Sequence, residues 1–200
     1  MGLTLVRHAQ PLVAQGICYG ALDVPADALA TDSAAQALAQ WIPIDCQVAF
    51  SPLQRCAQLA TALQHLRPKL RTTSQADLRE MDFGAWEGQR WDSIAASELK
   101  AWTDDFAQYR CGGAGESTSI FVSRVYRALQ GIDPAQPTLW ITHAGVMRAT
   151  VWLRQQGFLT RSYRHSYQDC GPARWDALAA ADWPQDALGF GQHWQLDWPD

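Results

Sequence analysis

Two short apolar runs, Leu3-Thr4-Leu5-Val6 and Leu139-Trp140-Ile141-Thr142, each stop at an imidazole: His8, preceded by Arg7, after the first, and His143 after the second. Apolar runs of this length bounded by polar residues read as buried strands. Strands of a parallel sheet share one carboxyl edge, where such sheets bind ligands in a crevice, so groups just past separate strand ends converge there. Two histidines and an arginine delivered to one edge suit anionic chemistry.

The rest of the chain supports such a sheet. Strand-like runs also occur at Val48 to Phe50 and Leu70 to Thr73, and helical apolar spacing is expected over Ala34 to Trp41, Leu53 to Leu66, Ile94 to Phe106, Ser117 to Leu129 and Val146 to Gln156. Alternation of strands and helices predicts an α/β fold, a three-layer αβα sandwich around a mostly parallel sheet with a helical lid insertion. A single domain over residues 1–200 is expected, with the lid over about 83–117 and an irregular C-terminal extension over 158–200, in which Arg174 to Leu178 and His193 to Trp198 read as short edge strands or an ordered extension. Ser117 is placed to cap the helix that follows the Gly112-Gly113-Ala114-Gly115 loop.

Charge excludes some partners. Sixteen basic and twenty acidic residues give a net charge of -4 without a basic block, so neither a nucleic-acid footprint nor a membrane-surface patch is present, and an anion must be captured locally. Five cysteines at irregular spacing fit reduced thiols better than a disulfide framework. No charged and apolar leader or membrane-length apolar run is seen, and a cytoplasmic location is expected. His65, His165 and His193 have no metal-ligand spacing to another His or Cys, so no metal and no cofactor is expected.

Three segments carry the chemistry. Neutral imidazole is a nucleophile that forms covalent intermediates, and Arg7 offers a rigid fork for phosphate oxygens; a strand-end pair held in a surface turn is the plainer reading. Ser51-Pro52-Leu53-Gln54-Arg55 follows a strand and puts Arg55 in a first helical turn, where guanidinium and helix dipole act alike on an anion, although such an arginine is also common as solvated surface. The acid-rich segment Leu78 to Gly88 supplies Glu80, Asp82 and Glu87, any of which by type could protonate a departing alkoxide, and chemistry alone leaves that choice open.

In this order the pieces resemble the histidine phosphatase, or phosphoglycerate mutase-like, superfamily: Leu5-Val6-Arg7-His8, Ser51-Pro52-Leu53-x-Arg55, Leu78-x-Glu80 with Phe83-Gly84-x-Trp86-Glu87-Gly88, Gly115-Glu116-Ser117 and Thr142-His143-Ala144-Gly145. The resemblance covers roughly residues 3–157. It implies that His8 is the phosphorylated nucleophile, that Arg7 and Arg55 bind the phosphoryl group, that His143 completes the pocket, that Glu80 is the acid and base, and that the N–H of Ala144 contacts phosphate.

The chain departs from that pattern at Ala9-Gln10-Pro11, where the family usually has glycine and, further on, an asparagine. This chain contains no asparagine. Gln10, Tyr19 and the backbone of Gly20 are the expected substitutes for its phosphate contact.

The length resembles the phosphatase branch more than the mutases, and Cys18 to Pro25 is similar to a segment of phosphatases of the α-ribazole phosphate type. The expected activity is hydrolysis of a small phosphorylated metabolite through phosphohistidine. A mutase-type transfer and a non-catalytic phospho-ligand binding protein are the alternatives. The oligomeric state is left open, a homodimer included. Trp86, Trp91, Trp102 and Phe106 are expected to pack the insertion against the sheet, with stacking on a planar substrate as the alternative. Arg161, Arg164 and Arg174 are read as scattered surface charges, an extended positive rim being the other reading.

Overall fold

The computed structural model describes residues 2–158, 175, 178–186 and 188–197. Five strands form one sheet in the order β3-β2-β4-β1-β5, with β1 at Gly2–Arg7, β2 at Gln47–Phe50, β3 at Arg71–Ser74, β4 at Thr138–Thr142 and β5 at His193–Asp197. The first four pair in parallel, and β5 runs antiparallel along the outer side of β1. Helices α1 (Ala28–Ala39), α2 (Gln54–Leu66), α3 (Ala96–Asp104), α4 (Thr118–Gln130) and α5 (Ala144–Gln155) complete the α/β architecture expected from the alternation.

Side chains alternate across a strand, and that alternation divides the core. Leu3, Leu5 and Trp140 point to one face and pack with Phe121, Val125, Val146 and Leu153 from α4 and α5. Val6, Leu139 and Ile141 point to the other face and meet Leu38, Leu59 and Leu63 from α1 and α2.

Helices α1 and α3 differ most from their sequence-based bounds, and α5 starts at Ala144, two residues before Val146. Helix α1 begins six residues before Ala34 because Asp27 caps it, accepting from the Ala30 N–H at 2.8 Å, and its buried face, Thr31, Ala34, Ala35 and Leu38, holds a single large apolar residue, which gives little periodic signal. Helix α3 is shorter than Ile94 to Phe106, since Ile94 itself is extended, and it has no fully buried residue. The segment Arg174 to Leu178 lies mostly outside the described residues, as do Arg161, Arg164, His165 and Arg174; His193 to Asp197 is the expected edge strand. Among the described residues no helix is long and apolar enough to cross a membrane.

Sheet order positions the site. Strand β4 lies between β2 and β1, and Arg7 is in register with Thr142 while Phe50 is in register with Ile141. The residues that follow, Ser51, His143 and His8, therefore leave one edge side by side. Main-chain bonds continue the ladders past the strand ends, from His8 N–H to Thr142 O and from Ser51 N–H to Ile141 O, both at 3.0 Å.

Candidate active site

The rings of His8 and His143 lie 5.1 Å apart, centroid to centroid. His8 Nδ1 is 2.7 Å from the carbonyl oxygen of Ala9, an acceptor, so this nitrogen carries the proton and Nε2 keeps its lone pair. Burial, followed by the nearby Arg55, pushes the His8 pKa down to about 3 against the bond to Ala9, and the ring is neutral at physiological pH.

His143 is wired differently. Its Nδ1 accepts from Arg55 Nε at 3.2 Å, which leaves Nε2–H to donate to Ser51 Oγ at 2.8 Å. Burial first, then Arg55 and His8, hold its pKa well below the usual histidine value. Both ring nitrogens have partners within the protein, so His143 fixes the orientation of Arg55. Cys56 Sγ lies 3.5 Å from His143 Nε2, and burial pushes its thiol pKa up, away from reactivity.

Arg55 enters from the first turn of α2, whose leading Gln54 N–H is capped from afar by Asp23 Oδ1 at 2.7 Å. Its terminal nitrogens donate to the carbonyls of Leu22 at 2.9 Å and Gly20 at 2.6 Å, and the guanidinium lies 5.4 Å from the Tyr19 ring. Arg7 donates to Leu188 O at 2.6 Å and lies 3.9 Å over the ring of Phe190, which also contacts the His8 ring at 5.5 Å. Burial lowers the Arg7 pKa, but from so high a value that the charge stays.

The three acidic residues that residue type alone could not separate have different tasks. Glu87 accepts from the N–H groups of Gly20, Ala21, Leu22 and Phe83 at 2.8 to 3.0 Å and so clamps the loop that holds Arg55. Asp82 accepts from Gly84 N–H at 2.8 Å and stabilises its own turn. Glu80 lines the cavity described below, its carboxyl oxygens accepting from Gly145 N–H at 2.9 Å and Met81 N–H at 3.1 Å.

Glycine leaves room for Glu80, since a Cβ on Gly145 would stand 2.1 Å from Glu80 Oε1 and displace that side chain. The main chain of Glu80 is held by the buried Arg124, which donates to the carbonyls of Asp77, Arg79 and Glu80 at 2.6 to 2.9 Å and pairs with Glu116 at 2.8 Å. That pair explains the Gly115-Glu116-Ser117 match: Glu116 fixes Arg124, and Ser117 caps α4 through Ile120 N–H.

Beside this constellation opens a cavity of about 520 Å³ lined by Arg7, Tyr19, Glu80, Ala144, Gly145 and Arg148 toward the sheet edge and by Phe83, Trp91, Trp102, Phe106, Thr118 and Trp183 among others. Ala144 is the first residue of α5, whose N–H has no partner within the helix. Of the expected substitutes for the absent asparagine, Tyr19 lines this cavity. Gln10 is exposed, with its carbonyl taken by Asp27 N–H, and the Gly20 N–H is committed to Glu87, so that donor is not free for a ligand.

Sequence reasoning missed Ser51 as the partner of His143, although the residue sits inside a quoted motif. It also missed Leu188 and Phe190, for which no nearby motif gave a signal. Among the described residues no cluster of three His, Cys, Asp or Glu is arranged to hold a metal, and Cys18, Cys46, Cys56 and Cys111 are buried and unpaired.

Neutral imidazoles, arginines and a carboxylate at the carboxyl edge of a parallel sheet define an α/β protein of phosphoryl transfer. The profile of the histidine phosphatase superfamily (branch 1) matches residues 3–172, and the chain belongs to that superfamily. TTHB049 from Thermus thermophilus is 28% identical, with 100% of this chain and 95% of that chain covered and a TM-score of 0.68. A phosphoglycerate mutase from the same organism is 27% identical over 100% of this chain and 94% of its own, with a TM-score of 0.68. The mycobacterial glucosyl-3-phosphoglycerate phosphatase shares the fold at 22% identity, with 97% and 88% covered and a TM-score of 0.67. No curated protein matches the chain.

Proposed function

We propose that this protein is a phosphomonoester hydrolase of the cytoplasm that acts on a small phosphorylated metabolite through a phosphohistidine at His8. The observation that carries the reading is the neutral His8 ring, turned by its bond to Ala9 so that Nε2 is the free nucleophile, 5.1 Å from the ring that orients Arg55. Nε2 attacks phosphorus, the P–O ester bond breaks, and the alkoxide takes a proton from Glu80. Glu80, now a carboxylate, takes a proton from water as that water attacks the phosphohistidine and releases inorganic phosphate.

Arg7 and Arg55 stabilise the charge on the phosphoryl oxygens, with the Ala144 N–H and the positive end of α5 beside them. Their bonds to main-chain carbonyls hold them in place before substrate arrives, so little reorganisation is needed during transfer. Tyr19 takes the place of the absent asparagine as a substrate contact.

The segment 18–25 that resembles phosphatases of the α-ribazole phosphate type builds the Arg55 clamp here, so that likeness speaks for the phosphoryl pocket and makes α-ribazole phosphate one substrate to test. The test is phosphate release from a panel of α-ribazole phosphate, sugar phosphates and phosphoglycerates, with the organic product identified. Inorganic phosphate and the free alcohol are expected. An isomeric phosphoglycerate in place of inorganic phosphate would make the protein a mutase, and tight phosphate binding without turnover of any ester would make it a binding protein.

A further inference from the structure

We propose that the turn over residues 188–192 is part of the phosphoryl site, with Phe190 as a positioning residue whose ring holds Arg7 in place for the phosphoryl oxygens. This rests on the phosphatase reading for what Arg7 binds. Phe190 itself lies beyond residues 3–172, which match the superfamily profile, and so belongs to this chain's own return past the site.

The turn is tied to Arg7 and His8 at several points. Gly191 N–H donates to the carbonyls of both residues at 3.1 Å, and Arg7 N–H donates to Gln192 O at 3.0 Å. The Arg7 guanidinium donates to Leu188 O at 2.6 Å, across 181 positions of sequence. The turn also closes on itself: Gly189 N–H donates to Gln192 Oε1 at 3.1 Å, Gln192 N–H donates to Gly189 O at 3.2 Å, and Gly191 takes a φ of 74°, in the left-handed region that favours glycine.

Phe190 sits in the middle of this turn and meets both residues at once. Arg7 Cζ stands 3.9 Å over its ring, and the His8 ring lies 5.5 Å away, tilted by 38°. Core packing does not account for the placement. Leu188 and Trp194, on either side, pack against the core, whereas the half-buried Phe190 joins neither half of it.

The kind of hold matters for a residue that must bind an anion. Arg124 shows the structural alternative, since it is anchored by three carbonyls and its charge is matched by Glu116. None of the ion pairs among the described residues involves Arg7. An aromatic face attracts a guanidinium without taking its N–H groups and without cancelling its charge, so the group is fixed while its charge stays available to phosphate. A carboxylate in the same place would compete with the substrate.

The test replaces Phe190 with leucine, with tyrosine, and with phenylalanines carrying one, two and three fluorines, which keep the outline of the ring and drain the negative charge of its face. Binding of inorganic phosphate is measured by calorimetry, and kcat/KM is measured on ethyl phosphate and nitrophenyl phosphate. Phe190→Leu should weaken phosphate binding roughly ten-fold, as expected for a partly desolvated cation–π contact. It should lower kcat/KM by the same factor for both esters, because Arg7 acts on the phosphoryl group that they share. Phe190→Tyr should restore most of the loss, and along the fluorinated series the phosphate dissociation constant should climb with each fluorine.

Leucine as good as phenylalanine, fluorinated rings that bind phosphate as the parent ring does, a loss confined to one ester, or a wild type that does not bind phosphate would each overturn the proposal. Should phosphate binding follow the expected order while no ester is turned over, the role of Phe190 stands and the hydrolase reading fails.

Discussion

The two ends of the cavity are built on different principles. At the sheet edge every functional side chain is tied to main chain or to a buried partner: His8 to Ala9, Arg55 to Gly20 and Leu22, Glu80 to Gly145, His143 to Ser51. At the outer end the wall is rings against rings, Trp102 beside Phe83 and Trp91. Bonded geometry at one end fixes where charge is stabilised, and loosely specified apolar surface at the other admits and selects a body. On the proposed function, the first end carries the chemistry and the second holds the body of the substrate.

That division fails most visibly if the acid can be removed without cost. Glu80→Gln should slow esters of alkyl alcohols by a hundred-fold or more, about what a general acid contributes, while nitrophenyl phosphate, whose leaving group needs no proton, loses less than about ten-fold. Steady-state kinetics on the two esters gives the ratio. Equal losses would remove Glu80 from the role.

Gly145→Ala probes the same end without touching a charge. The added methyl group collides with Glu80 Oε1, and displacement of the carboxylate by about an ångström should cost tens of times in kcat on alkyl esters, with the fold retained by circular dichroism. Unchanged kcat would mean that the position of Glu80 does not matter.

Acid should discriminate the two ends as well. His8 is held down to about 3 and His143 well below its usual value, so both are neutral in the fold and take protons more readily when unfolded. The sign follows: stability is full above about 6.5, and it falls as pH drops from there toward 3, because the unfolded chain binds the protons. Thermal melts from pH 7 to 5 should show this decline, and His8→Gln should flatten part of it. A wild-type profile unchanged over that range would contradict the burial of neutral rings.

The smallest effect belongs to the outer wall. Trp91→Leu should alter turnover of ethyl phosphate by less than about three-fold, since that ester does not reach the rings, and a larger loss would show that the wall supports the chemistry.

What the sequence revealed divides along the same line. The strand-end histidines were legible because a buried run followed by Arg-His or His-Ala-Gly leaves few other roles, and parallel pairing then brings them together. Glu80 was picked out by the family resemblance and not by residue chemistry, because what distinguishes it from Asp82 and Glu87 is distant: Glu87 is consumed by N–H groups more than sixty residues away in the chain, at 20–22. The early start of α1 was hidden by its alanines, and Phe190 over Arg7 by a return of the chain that no local pattern announces. The commitment of the Gly20 N–H to Glu87 was equally invisible, being a property of the folded clamp.

The account stands or falls on where phosphate becomes bonded during turnover. Brief reaction with phosphorus-labelled ester, an alkaline denaturing quench and peptide mapping should recover alkali-stable, acid-labile label on His8, absent in His8→Ala, and label at any other residue, or turnover retained by His8→Ala, would contradict it.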